Sequence, residues 1–231
     1  MAIYDYTLCY SAENGKFHIG IGCGEHEEKF IGEVTDQIAD VAGYDGNGST
    51  LILKDFAFET SAEIAVAVPN GTKIVFEGEN SIIVDSDKAD ANVAVLYSSG
   101  DMILSGNAGS KLLIDSNTTQ GFWSRAICAR AGDLTIEGGN ITAKAKSARK
   151  NCGVYAGGHL WIDTGDKGKI NILGGHLTIS AAPNAVRAAE GRLTVKEGAK
   201  VLNCIETQGT EAFTGDCLSP ADREQNLEIV F

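Results

Sequence analysis

The strongest constraint on this chain is that it repeats itself. Alone, "AGDLTIEGGNITAKA" (131–145) reads as two short alternating strands around Gly138-Gly139, a β-hairpin pattern. But "GGHLTISA" (174–181) nearly repeats its second half, and "EGRLTVKEG" (190–198) its first. Five segments align on an apolar residue that follows a turn: "AVAVPNGTKIVF" (65–76), "AVLYSSGDMIL" (94–104), "AICARAGDLTI" (126–136), "GVYAGGHLWI" (153–162) and "AVRAAEGRLTV" (185–195). Their anchors, Ile74, Met102, Leu134, Leu160 and Leu193, lie 28, 32, 26 and 33 residues apart. Most anchors are followed by another turn and another strand: "NSIIVDS" (80–86), "SKLLIDS" (110–116), "NITAKA" (140–145) and "HLTISA" (176–181). Hairpins explain the alternation. They do not explain one three-part order returning every 26–33 residues, whereas stacked parallel coils explain both.

Period-two alternation then assigns faces. On the first strand of each coil the inward pairs are Val95/Tyr97, Ile127/Ala129, Val154/Ala156 and Val186/Ala188. On the second they are Ile74/Phe76, Met102/Leu104, Leu134/Ile136, Leu160/Ile162 and Leu193/Val195; on the third, Ile82/Val84, Leu112/Ile114, Ile141/Ala143 and Leu177/Ile179. Such columns are aliphatic in almost every coil, and each buried member contributes about 1.5–3 kcal/mol before chain entropy is counted. The expected fold is all-β: a single right-handed parallel β-helix of about five to six coils with three short strands per coil, the hand following the rule for parallel crossovers. It occupies 49–204, between an N-terminal cap (1–48, a hairpin plus a short amphipathic helix) and a C-terminal cap (205–231). Phe30, Val34, Ile38 and Val41 recur at helical spacing and supply the N-terminal plug. Ser219 with Pro220 marks a helix start near the other end, followed by a final apolar strand.

With 19 basic and 31 acidic residues the formal charge is −12, which repels nucleic acid and anionic membranes and suits a cation or a neutral ligand. No run of 18 apolar residues is present, so no membrane insertion is expected. The first residues, "MAIYDYTLCYSAENG", carry no signal-peptide pattern, which leaves the cytoplasm open as a location. The six cysteines show no zinc spacing; Cys204 and Cys217 are within reach of one another in the C-terminal cap.

"GVYAGGHLWI", "GDLTIEGGNITAKA" and "GGHLTISA" resemble the repeats of secreted or surface-displayed bacterial β-helix proteins, described as carbohydrate-binding and sharing a pectate-lyase-like, adhesin-like architecture. The segment 44–82, with its "PNGTKIVFEGENSI" turn, is similar to the opening of those arrays, and the resemblance covers roughly 44–200. It implies an extracellular or cell-surface location and polysaccharide binding.

Function is expected where the repeat is broken. On the second strand the outward column reads Val75, Ile103, Thr135, Trp161, Thr194; its apolar members are either a platform for a sugar ring or ground covered by the 163–173 insertion. On the first strand the outward column reads Ala67, Leu96, Cys128, Tyr155, Arg187, preceded by small residues at Ala65, Ala94, Ala126, Gly153 and Ala185. These form either a shallow glycan groove edged by Tyr155, Arg130 and Arg187, or a crowded bend. Phe122-Trp123 cannot both point inward on a strand, so one packs under its loop or is displayed. The candidate ligand-binding residues are therefore Phe122, Trp123, Arg125, Arg130, Tyr155, Trp161 and Arg187.

Asp85 is expected beside Asp115 in the next coil, with Lys144 beyond; either the lysine neutralises them or a Ca²⁺ ion does, helped by Asp87 and Asp90. The favoured activity is non-catalytic binding of a polysaccharide or glycan. One alternative is a polysaccharide lyase or glycoside hydrolase using Asp85, Asp115, Lys144 and Arg125; another is a structural or adhesive module that meets another protein.

Overall fold

In the computed structural model the described residues are 4–11, 13, 15–21, 29–33, 42–44, 50–88, 92–118, 120–146, 150–157, 168–181, 184–188, 192–207, 213–215, 217–222 and 225–231. They are all-β, with no helix assigned among them. The first six strands are β1 (Thr7–Ser11), β2 (Lys16–Ile21), β3 (Lys29–Glu33), β4 (Ala42–Tyr44), β5 (Thr50–Lys54) and β6 (Ala57–Thr60). Fifteen strands then follow in five triplets. These are β7 (Ile64–Val68), β8 (Thr72–Glu77) and β9 (Glu79–Ser86), then β10 (Asn92–Ser98), β11 (Met102–Gly106) and β12 (Lys111–Thr118). Next come β13 (Trp123–Arg130), β14 (Leu134–Ile136) and β15 (Asn140–Lys146), and β16 (Lys150–Gly157), β17 (Ile170–Ile172) and β18 (His176–Ser180). The last triplet is β19 (Asn184–Arg187), β20 (Leu193–Val195) and β21 (Lys200–Leu202); β22 (Phe213–Gly215), β23 (Cys217–Leu218) and β24 (Leu227–Val230) close the chain.

Three sheets result, and the triplets visit them in rotation. The nine-stranded sheet runs β23-β19-β16-β13-β10-β7-β1-β2-β3, the eight-stranded one β22-β20-β17-β14-β11-β8-β5-β4, and the seven-stranded one β21-β24-β18-β15-β12-β9-β6. Each strand from β7 to β18 pairs in parallel with the strand three further on, except that β18 meets β24 instead of β21.

The core lies between the sheets and is built from aliphatic columns. In the nine-stranded sheet Leu8, Val66, Leu96, Ile127, Val154, Val186 and Leu218 stack in register. The eight-stranded sheet contributes Leu51, Ile74, Leu104, Ile136, Ile172 and Val195. The seven-stranded sheet contributes Phe58, Ile82, Ile114, Ala143, Ile179 and Leu227. All of them are buried.

Three registers differ from the repeat alignment. Ile74 stacks on Leu104, not Met102, because Phe76 needs the side-chain-free Gly106 opposite it. The ladder position assigned to Leu160/Ile162 is filled by Ile170/Ile172, and residues 160–162 lie outside the described residues. On β10, Leu96 points inward and Tyr97 outward, the reverse of the alternation. The cause is a bend in this sheet. Two consecutive residues face the core in each strand: Ala65-Val66, Val95-Leu96, Ala126-Ile127 and Ala185-Val186. The ladder pairs skip the first of the two between triplets. At Gly153 a Cβ would collide with Ile179 across the interior, so Ala65, Ala126, Gly153 and Ala185 line a crowded inward bend and not a groove; Ala94 is not in their row, its place being taken by Val95.

The first corners of the first three triplets carry a second ladder. Asn70 Oδ1 accepts from the Asp101 N–H (2.7 Å), Asp101 Oδ1 from the Asp133 N–H (2.8 Å), and Asp133 Oδ1 from the Lys169 N–H (2.8 Å). Short side-chain acceptors there satisfy backbone donors that no strand reaches.

Antiparallel strands lie at both ends. The expected hairpin is β1–β2, antiparallel and continued by β3; Phe30 lies in β3 and not in a helix, while Val34, Ile38 and Val41 lie outside the described residues. Aromatic rings pack at this end instead: Tyr4 stacks on Phe58 (centroids 5.3 Å apart), Phe17 on Phe56 (5.9 Å), and Tyr10 meets Phe17 edge-on. At the other end β22, β23 and β24 each add antiparallel to one sheet. Ser219-Pro220 starts no helix; Pro220 forms an antiparallel bridge to Cys204, consistent with a residue that lacks an N–H at a sheet edge.

Gly139 (φ +92°) sits at the second corner, where a Cβ would strike the Phe76 ring and lie 3.1 Å from Gly106 Cα; Gly71 (φ +81°) has open space around it. Gly71→Ala should therefore cost about 1 kcal/mol from backbone strain alone. Gly139→Ala should cost about 3 kcal/mol because overpacking adds to that strain. Urea unfolding of the two variants measures the difference.

Candidate functional site

Alternation on β13 is phased by the bend. Ser124 points inward, its Oγ 2.6 Å from Ser116 Oγ, and Ala126 and Ile127 join the core. Trp123 and Arg125 are thus outward before the bend, and Cys128 and Arg130 outward after it. Next door Cys152 stands opposite Arg125 and Tyr155 opposite Cys128, with Arg187 following Tyr155 on β19.

Arg125 is the centre of this face. It is only 2% exposed, and its guanidinium carbon lies 4.6 Å from the Trp123 ring centroid and 5.0 Å from that of Tyr155. Its Nε is buried without a hydrogen-bond partner. Trp123 and Tyr155 are half-buried, Arg130 is half-exposed and Arg187 is exposed. Phe122 packs edge-on to Trp123 at 6.3 Å between centroids, so neither member of the aromatic pair is fully buried. Of the expected ligand-binding residues, Phe122, Trp123, Arg125, Tyr155 and Arg187 thus form one chain of contacts and ladder neighbours. Arg130 lies at the end of the same strand, and Trp161 lies outside the described residues.

Sequence reasoning placed Cys128 in this column but missed Tyr97 and Cys152 as neighbours of the site. Ala67, Ala94, Tyr97 and Cys128 form a buried cluster distinct from the core, with Cys9, Ile64 and Tyr155 packed against it. The signal was present in the unbroken apolar runs 93–97 of β10 and 126–129 of β13. Burial pushes the Cys152 thiol up to about 12, against the lowering pull of Arg125 and Arg187, and raises Cys128 and Tyr155 in the same way. These groups stay neutral at physiological pH, so the thiols are packing groups and not nucleophiles.

The acidic ladder is arranged otherwise than expected. Asp85 stands beside Asn117, whose Nδ2 donates to Asp85 Oδ1 (3.2 Å), while Asp115 stands between Ile83 and Lys144 and meets Lys144 Nζ at 3.4 Å. The register is two residues off the alignment because buried Asn80, bonded to the Phe56 N–H and to the Glu77 and Lys111 carbonyls, takes the place opposite Leu112. Asp87 is exposed and Asp90 lies outside the described residues. Among the described residues no three His, Cys, Asp or Glu are grouped to hold a metal ion. Asp115 and Lys144 lie on the seven-stranded sheet and Arg125 on the nine-stranded one, so the residues set aside for lyase or hydrolase chemistry are split between two faces.

The apolar platform on the eight-stranded sheet dissolves in the same way. Its outward column reads Lys73, Ile103, Thr135, Asn171, Thr194, and Val75 sits beside Ser105. An ion pair straddles β11 there, Lys73 Nζ to Glu137 Oε2 at 2.8 Å. In the C-terminal cap Cys204 and Cys217 are free thiols that both donate to Glu206, at 3.1 and 3.8 Å. Cys9 is disulfide-bonded.

Comparison with protein-family models, with curated proteins and with solved structures returns no match to this chain.

The Lys73 hydrogen bond, outweighing burial, holds the Glu137 carboxyl below its ordinary value. A depressed carboxylate stabilises the fold above its unfolded pKa of about 4.3, and that contribution is lost as pH falls through the lower folded value. Between pH ~5 and ~3 the melting temperature of the native protein should therefore fall further than that of Glu137→Gln, as read by circular dichroism. Iodoacetamide at mildly alkaline pH should leave Cys128 and Cys152 unmodified until the protein is denatured, which peptide mass spectrometry reads directly.

Proposed function

We propose that this chain is a right-handed parallel β-helix that binds glycans, without cleaving them, on the outward face of its nine-stranded sheet. Rotation of consecutive strands through three sheets supports the helix, and the general handedness of parallel crossovers supports the right hand. The resemblance of its repeats to secreted bacterial carbohydrate-binding β-helices supports the ligand class. The observation that carries the reading is the Trp123–Arg125–Tyr155 stack. A guanidinium held against two rings fixes their orientation, and half-buried rings in fixed orientation present the flat apolar surface on which the C–H side of a sugar packs. The disulfide at Cys9 supports an oxidising, extracellular location.

Trp123→Ala and Tyr155→Ala should each weaken glycan binding by roughly 10-fold or more, the loss of about 1.4 kcal/mol, with melting temperature little changed. A glycan array followed by calorimetry on the best binder measures it. Binding unaffected by both substitutions sinks this site, and sugar fragments in the same incubation would replace the binding reading with a lyase or hydrolase. Self-association without any sugar bound would replace it with a structural module.

A further inference from the structure

Net charge predicts a cation or a neutral ligand, but charge is not spread evenly. The chain carries 31 acidic residues, yet β10, β13, β16 and β19, four adjacent strands of the nine-stranded sheet, contain no Asp or Glu. Neighbouring β7, β1 and β2 contain none either. The same four strands carry Arg125, Arg130 and Arg187, and Lys150 stands opposite Trp123 in the ladder. Arg125 adds an independent sign: it is 2% exposed, flanked by rings instead of carboxylates, and its buried Nε has no hydrogen-bond partner. A buried cation with no counter-charge among the described residues is costly by itself, and its field reaches further than that of a solvated one because little water screens it.

Resting on the glycan reading above, we infer that the ligand of this face is an anionic glycan, bearing uronate carboxylates or sulfate esters. Its charge is met by Arg187 and Arg130 on the outward face, beside Arg125, whose Nε is buried without a hydrogen-bond partner. The planar donor fork of arginine suits both oxyanions. A neutral polymer leaves Arg125 without a counter-charge and gains only the ring contacts.

Calorimetric titration of the full chain with polygalacturonate, dextran sulfate and neutral dextran of matched length tests this. At least one polyanion should bind roughly 10-fold or more tighter than dextran, although a protein of charge −12 repels polyanions at long range. The stronger of the two separates carboxylate from sulfate. Arg187→Gln and Arg130→Gln, at positions that are not buried, should each weaken polyanion binding by about 5-fold, the effect of removing a charged hydrogen-bond donor. Dextran binding as tightly as either polyanion, or polyanion binding unchanged in both variants, overturns the charge assignment while the glycan site stands. No binding of any of the three polymers overturns both.

Discussion

Everything in this fold depends on hydrogen bonds made between one triplet of strands and the next. A parallel strand satisfies its N–H and C=O groups on its neighbours, so each strand must keep register with the one before and the one after. Segments of unequal length are therefore absorbed at the corners, and the corners must find their own partners. The Asn70–Asp101–Asp133 ladder is that solution, with each side-chain oxygen taking the first free donor of the following triplet. It also explains part of the acidic composition. Some carboxylates are there to accept backbone bonds and not to meet a ligand.

The bend in the nine-stranded sheet follows from the same requirement and decides what that sheet displays. With Ala126 and Ile127 both facing the core, Arg125 and Cys128 face outward although they are three positions apart. A flat strand would place them on opposite faces. The bend thus lets a residue before it, Arg125, meet one after it on the adjacent strand, Tyr155.

The fold was largely legible because its determinants are periodic. Turn glycines and alternating aliphatics gave the all-β class, the three strands per unit and most inward positions, including Leu134, Ile136, Ile141 and Ala143 of the opening stretch. What failed was local. A repeat alignment matches similar residues, and similarity misleads where a side chain of different size does the stacking: Phe76 demands Gly106, and Asn80 takes a core position. Alternation also fails at a bend, which is why Leu96 and Tyr97 were exchanged. The Phe30–Val41 spacing suggested a helix, but sequence periodicity cannot see six rings from Tyr4 to Phe58 assembling at the same end. The site was legible as a list of residues and not as an arrangement. Tyr155 and Arg187 fall in one column of the repeat, but Trp123 and Arg125 stand apart from them in the sequence, and only the ladder pairing joins the four.

The reversal of the last three strands has a consequence for the protein as a particle. A stack of parallel strands ends in an open row of donors and acceptors that another stack of the same polarity can extend without limit, the route to fibres. In two of the three sheets the C-terminal edge strand, β22 or β23, runs against that polarity; in the third, β24 inserts antiparallel between β18 and the edge strand β21. An incoming copy therefore meets a bond pattern of the wrong spacing at two of those edges. A short tail thus ends growth on two fronts, and on the third breaks the run of parallel strands that repetition would otherwise extend.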